Sequence, residues 1–185
     1  MGFFSSLFSG QQKSDPPPTG QPDLDFYEKL VDNVAASDEF QIELKAALKI
    51  AFQDPKSFYD DSGEISLSDR GLNYPNDASS TPKFVLIDKM LAVGQMAEVD
   101  WKEEEEEIRF SIIEIAKAKG YDMHISTDDT YSMDTDKIIK SINDNEIKPL
   151  GYCLEILDIT SDSYVFTIVP LDKQQLVRSM FDQLK

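Results

Sequence analysis

The residues best equipped for chemistry are acidic and fall close together. Asp100-Trp101-Lys102-Glu103 leads into the run Glu103 to Glu107, and Asp128-Asp129 follow further along the chain. Carboxylates clustered this way can hold a divalent cation through oxygen ligands, support metal-assisted chemistry, or present a negative edge to the Lys and Arg of another protein. Other chemistries are limited by count. His124 is the single His, so no multi-histidine metal site forms, and a Ser-His-Asp or Cys-His arrangement would have to use His124 with no orienting motif around it. Cys153 is the single Cys, which excludes an intramolecular disulfide, and its alternation with Leu154 reads as a small buried apolar side chain. Neither a Gly-rich phosphate loop nor a P-loop lysine pattern occurs.

Elements to position these residues follow from periodicity. Leu24, Tyr27, Leu30, Val31 and Val34, then Phe40, Leu44, Ala47, Leu48 and Ala51, recur at helical spacing, with Ser37-Asp38 as a fresh N-cap, so a helical pair spans 23–53. Residues 54–81 are Pro-, Gly-, Asp- and Ser-rich and irregular, with Ile65 and Leu67 alternating like a short strand. Thr81 as N-cap, Pro82 at the first helical position and Gly94 as C-terminal cap bound a helix over 82–93. Alternation of Ala97, Val99 and Trp101 predicts a strand over 95–101. It enters a helix through an Asp100 to Glu103 capping box, and that helix closes at Gly120. Tyr121, Met123 and Ile125 predict another strand, Asp134 caps a helix carrying Ile138, Ile139 and Ile142, and residues 150–159 and 164–169 form a hairpin. An Asp172 to Gln175 capping box opens a closing helix.

Two strands joined by a long helix are normally parallel and right-handed. The expected fold class is therefore α+β, a mixed four-stranded sheet made of that parallel pair plus the antiparallel hairpin, with packed helices and the N-terminal helical pair. In domain terms, the expectation is a disordered Phe-containing tail and Pro-rich linker over 1–22 and a single α+β domain over 23–185, made of the helical pair 23–53, the irregular segment 54–81 and the sheet and helices of 82–185.

Projected at 100° per residue, Trp101, Glu104 and Glu105 fall on the side of Ile108, Ile112 and Ile115, whereas Glu103, Glu106 and Glu107 point away. Ligands of open α/β units bind beyond the carboxyl ends of the strands. Asp100, Trp101, Glu104, Glu105, Asp128 and Asp129 would then share one acidic edge, which repels phosphates and suits a divalent cation or a basic partner surface. Asp60-Asp61-Ser62-Gly63-Glu64-Ile65 resembles a calcium loop only in its glycine, since Phe58 stands at the first-ligand position and Asp69 at the closing one. His124 faces away from the apolar side of its predicted strand.

Composition narrows the partners. Against 18 Lys+Arg stand 35 Asp+Glu, a formal net charge of -17, which disfavours nucleic acid and anionic lipid; 41% hydrophobic residues suffice for a packed core. Phe3, Phe4, Leu7 and Phe8 form a run too short to span a bilayer and lacking the basic start of a secretory signal; Gly2 and Ser6 match a loose acylation pattern. A cytoplasmic protein without a membrane span is the expectation.

Gly71-Leu72-Asn73-Tyr74-Pro75, Thr81-Pro82-Lys83-Phe84 and Glu98-Val99-Asp100-Trp101-Lys102-Glu103-Glu104 together resemble the signature of a bacterial family of uncharacterised function, over roughly residues 60–170. The resemblance implies a compact bacterial cytosolic domain and carries no catalytic residue. Charge and the missing catalytic motifs favour a non-enzymatic domain that binds a basic protein surface, as an inhibitor or immunity-type partner does. The alternatives are a divalent-metal enzyme built on the clustered carboxylates, and a scaffold docking through its N-terminal tail.

Overall fold

Asp23 and Ser37 open the fold: their side chains accept the N–H groups of Phe26 and Phe40, starting α1 (Leu24–Val34) and α2 (Asp38–Gln53) as the spacing predicts. The computed structural model describes residues 22–60, 63, 65–128 and 130–185, so the predicted tail up to residue 21, Asp61, Ser62 and Glu64 of the Asp60 to Ile65 loop, and Asp129 lie outside the described residues.

The irregular stretch folds as three 3₁₀ turns, Pro55–Phe58, Leu67–Arg70 and Ala78–Ser80. No strand forms at Ile65 and Leu67; Leu67 instead heads a 3₁₀ turn as a fully buried anchor, closed by Gly71 at φ 77, a conformation only glycine takes without strain. In α3 (Thr81–Ala92) Thr81 is the first helical residue rather than the cap. Its hydroxyl meets that of Tyr59 at 3.0 Å, tying the irregular stretch to the helix.

Then come β1 (Ala97–Asp100), α4 (Glu105–Ala118), α5 (Thr135–Ile142), β2 (Tyr152–Leu157), β3 (Ser163–Pro170) and α6 (Gln174–Asp182). Among the described residues the strands make one three-stranded antiparallel sheet, order β1-β3-β2, with Val99 opposite Tyr164 and Ile156 opposite Phe166. The expected four-stranded sheet with a parallel pair is thus corrected. The neighbour of β1 is β3, and 121–125 pairs with no strand. Its alternation is nonetheless real: Met123 is buried, Tyr121 and Ile125 half-buried, Asp122 and His124 exposed. An extended segment lying on a core alternates its side chains as a strand does, without any ladder.

Helices cover both faces of the sheet. Cys153, Leu157, Val165 and Val169 join the cores of α1, α2, α3 and α6 on one side, while Val99, Leu154, Phe166 and Ile168 join α4 and α5 on the other. The outer edge of β2 is partly closed by a side chain: Asn143, in a π-helical turn (Asn143–Ile147) after α5, accepts the Leu154 N–H at 2.9 Å and donates to the Leu154 carbonyl at 3.5 Å. Lys119, at the end of α4, crosses between the layers, donating its buried Nζ to Val34 O at 2.7 Å and Ile168 O at 2.8 Å. No helix of the described residues is long and apolar enough to cross a membrane.

Candidate functional site

The chain leaves β1 through a turn before any helix begins. Trp101 N–H donates to Asp162 O at 2.9 Å, Lys102 N–H to Asp100 Oδ1 at 2.9 Å and Glu103 N–H to Asp100 O at 3.0 Å. The expected capping box is therefore replaced by a local Asx-type turn, because the Asp100 carboxylate is engaged two residues ahead. The helix starts four residues later, with Glu104 as N-cap making no side-chain cap bond. Trp101 is held outward, 49% exposed.

Glu105 is the one carboxylate of the acidic run that is buried. Its Oε1 accepts the Arg109 Nε at 2.7 Å and the Thr130 N–H at 2.9 Å, and its Oε2 accepts the Tyr131 N–H at 2.6 Å. Arg109, one turn on, is buried too. It donates Nη1 to Ser126 O and forks Nη1 and Nη2 onto Glu146 Oε2 and Oε1, at 2.9, 2.9 and 2.8 Å. Burial alone would raise the Glu105 carboxyl, but the Thr130 and Tyr131 N–H groups and the Arg109 guanidinium outweigh it and hold the group below the usual carboxylate range. Hydrogen bonding from Arg109 likewise lowers Glu146, against its partial burial. Between them, Glu105 and Arg109 pin residues 126, 130 and 131, which explains why 121–134 lies close against α4 without strand pairing.

That pinned segment is the far wall of a groove. A volume of about 760 Å³ opens between the turn at 101–104 and residues 131–136, with Trp101, Tyr131, Met133, Ile138 and Tyr164 as its apolar lining. Glu103, Glu104, Asp134 and Asp136 supply acid around it, and Lys102 and the ion-paired Glu105 complete the near wall. Thr135 Oγ1 donates to Glu103 O at 3.2 Å, joining the two walls. The indole face already meets a cation, since Lys102 Nζ lies 4.3 Å from the Trp101 ring centroid. Asp134 is ion-paired with Lys137, while Glu103, Glu104 and Asp136 have no cationic partner among the described residues. Chemically, the groove offers an aromatic platform with carboxylates around it, which together favour a cationic group with an aliphatic or planar stem.

Of the six residues expected on one acidic edge, Trp101, Glu104 and Glu105 line this groove, and Glu105 faces inward as an ion-pair partner. Asp100 and Asp128 are exposed and lie outside its lining; Asp129 lies outside the described residues. Among the described residues no three His, Cys, Asp or Glu side chains gather to hold a metal ion. His124 is 96% exposed, 3.8 Å from Asp122, and Cys153 is buried, its thiol pushed up to about 12 by burial ahead of the nearby Glu155 charge. Neither is arranged as a nucleophile or its base.

Reading the sequence alone passes over Arg109, Tyr131, Glu146 and Lys119. A signal for Arg109 exists: it follows Glu105 by four residues and adjoins Ile108 within the apolar stripe, the spacing of an ion pair buried with that face. Tyr131 and Glu146 carry no local pattern.

No curated protein and no solved structure matches the chain. A family model matches residues 26–185, nearly all of the described chain, so this protein belongs to DUF6630, a family defined by a domain of unknown function.

Proposed function

We propose that this protein is a binding domain for a basic protein surface, acting as an inhibitor or immunity-type partner in the cytoplasm, and that the groove beside Trp101 receives a Lys or Arg side chain. The observation that carries the reading is the pairing of an exposed indole with the acidic rim of Glu103, Glu104, Asp134 and Asp136 in one groove. An Arg or Lys entering it gains cation–π contact, apolar cover for its stem from Met133 and Tyr131, and carboxylates for its charge. The groove walls are held by the buried Glu105-Arg109 pair and the half-buried Glu146, so little ordering cost accompanies binding. The overall charge of -17 adds long-range attraction for a basic partner.

Because Trp101 is the single Trp, its fluorescence reports on the groove directly. Titration with an oligo-arginine peptide is expected to change the emission saturably, whereas an oligo-glutamate peptide of equal length leaves it unchanged. Glu104→Lys with Asp134→Lys should weaken the arginine response by about tenfold or more, two charge reversals within a screening length of about 10 Å. Emission that ignores the oligo-arginine peptide sinks the reading.

A further inference from the structure

The turn that carries Trp101 outward also carries a cation of its own. Lys102 stands between Asp100 and the run Glu103 to Glu107, so carboxylates flank it on both sides in the chain. Its ammonium nonetheless joins no ion pair among the described residues and lies over the indole, 4.3 Å from the ring centroid. The exposed lysines of α4 and α5 behave differently: Lys117 takes Glu114, Lys137 takes Asp134 and Lys140 takes Asp144. Backbone bonds fix the arrangement. Trp101 N–H donates to Asp162 O, Lys102 N–H to Asp100 Oδ1 and Glu103 N–H to Asp100 O, so the side chains of Trp101 and Lys102 leave one short turn together.

The indole face therefore has an occupant before any partner arrives. A partner side chain that seeks this face must displace Lys102, and it gains only the difference between two cation–π contacts. An incoming lysine offers the same ammonium on the same flexible stem, while the resident one is tethered beside the ring, so that exchange gains nothing. A guanidinium is planar and more weakly hydrated, stacks on an aromatic face, and can fork onto the carboxylate of Glu103 or Glu104 in the groove lining.

We propose, on the basis of the recognition of a basic side chain assigned to this groove above, that Lys102 is a resident competitor for the Trp101 face and that its displacement selects arginine over lysine. While Lys102 covers the ring, the apparent affinity for any incoming cation is lowered to the fraction of molecules whose ring is free.

Calorimetric titration of the full chain with an oligo-arginine peptide at about 0.15 M salt tests this through two variants. Lys102→Ala bares the ring and removes a charge, and should tighten binding about two- to fivefold or more, the span of an exposed cation–π contact. Lys102→Arg keeps the charge and holds the ring more firmly, so it should weaken binding about twofold. Without peptide, acrylamide quenching of Trp101 should rise in Lys102→Ala and not in Lys102→Arg; unchanged far-UV circular dichroism confirms that both fold. An oligo-lysine peptide of equal length should bind the native protein about threefold more weakly, or worse. Affinity indifferent to Lys102→Arg overturns the proposal, because charge alone then accounts for Lys102→Ala. Quenching unchanged in Lys102→Ala overturns it too, since the ring was already bare. Equal affinity for the two peptides overturns the selection of arginine. If neither the native protein nor Lys102→Ala binds the arginine peptide, the groove reading itself falls and the resident competitor with it.

Discussion

Arg109 follows Glu105 by one helical turn on α4, and the two form an ion pair at 2.7 Å with only 1% and 4% of their side-chain surface exposed. Removing one member strands the other without a counter-charge, and such losses are large. Arg109→Met is therefore expected to cost about 3 to 5 kcal/mol, read as a lower urea midpoint with an unchanged slope. The same variant should release residues 126–131, seen as faster amide exchange at Thr130 and Tyr131.

Acid should attack the same cluster. Glu105 and Glu146 both titrate below their ordinary value of 4.5 in the folded protein, so the unfolded chain binds more protons there. Their stabilisation is complete above the unfolded value and disappears as pH falls through the lowered folded values. Glu105→Gln and Glu146→Gln should flatten the fall of the urea midpoint between about pH 5 and pH 3. An equally steep fall in both variants would mean that other carboxylates dominate acid unfolding.

Lys119 gives a dependence of the opposite kind. Burial, with the nearby Lys173 charge second, lowers its amine from 10.5 to about 7. Unfolded chains hold that proton up to the ordinary value, so Lys119 costs stability below about 7 and the cost is relieved as pH rises from there towards 10.5. Stability of the native protein should thus rise over that alkaline window through this residue. In Lys119→Met the rise should be smaller, measured as the urea midpoint at pH values on either side of the folded value; an identical pH slope would contradict the buried neutral amine.

Trp101 separates stability from binding. As an exposed side chain, its change to Ala should move stability by no more than about 0.5 kcal/mol, whereas Ile112→Ala on the buried stripe should cost about 2 to 5 kcal/mol. Asp100→Ala should cost less than a full N-cap's ~1 kcal/mol, because that carboxylate holds one turn N–H and starts no helix. A large loss of stability in Trp101→Ala would place the indole in the core.

Helices were the legible part of this chain. α1, α2, α4, α5 and α6 announce themselves by apolar spacing, and the hairpin of β2 and β3 by two alternating runs around a short loop. The sheet was misread at 121–125 because alternation reports which side chains face the core and is silent about what the backbone bonds to. Within 121–125 the backbone bonds are local, Tyr121 N–H to Ala116 O and Met123 N–H to Tyr121 O, and just beyond it Ser126, Thr130 and Tyr131 bond to Arg109 and Glu105 instead of to a strand. The Asp100 capping box misled for a related reason: a side chain that fits a cap can equally close a turn, and the sheet bond from Trp101 to Asp162 favours the turn. Of the residues lining the candidate groove, the sequence reading named Trp101, Glu104 and Glu105, whereas it turned Glu103, which also lines the groove, away from that side. It did not place Tyr131, Met133 and Asp134 there, since only the buried ion pairs bring them opposite Trp101.

The kinetics of association test the central claim, recognition of a basic partner through the Trp101 groove, most directly. Stopped-flow mixing with an oligo-arginine peptide, followed by Trp101 emission, should give an on-rate that falls steeply with salt. Glu104→Lys with Asp134→Lys should slow it by about an order of magnitude. Asp25→Lys with Asp172→Lys, on exposed residues of α1 and of the turn before α6, changes the net charge equally and should leave most of the rate intact. Equal slowing by both pairs would contradict the account, leaving only the overall charge of -17 at work.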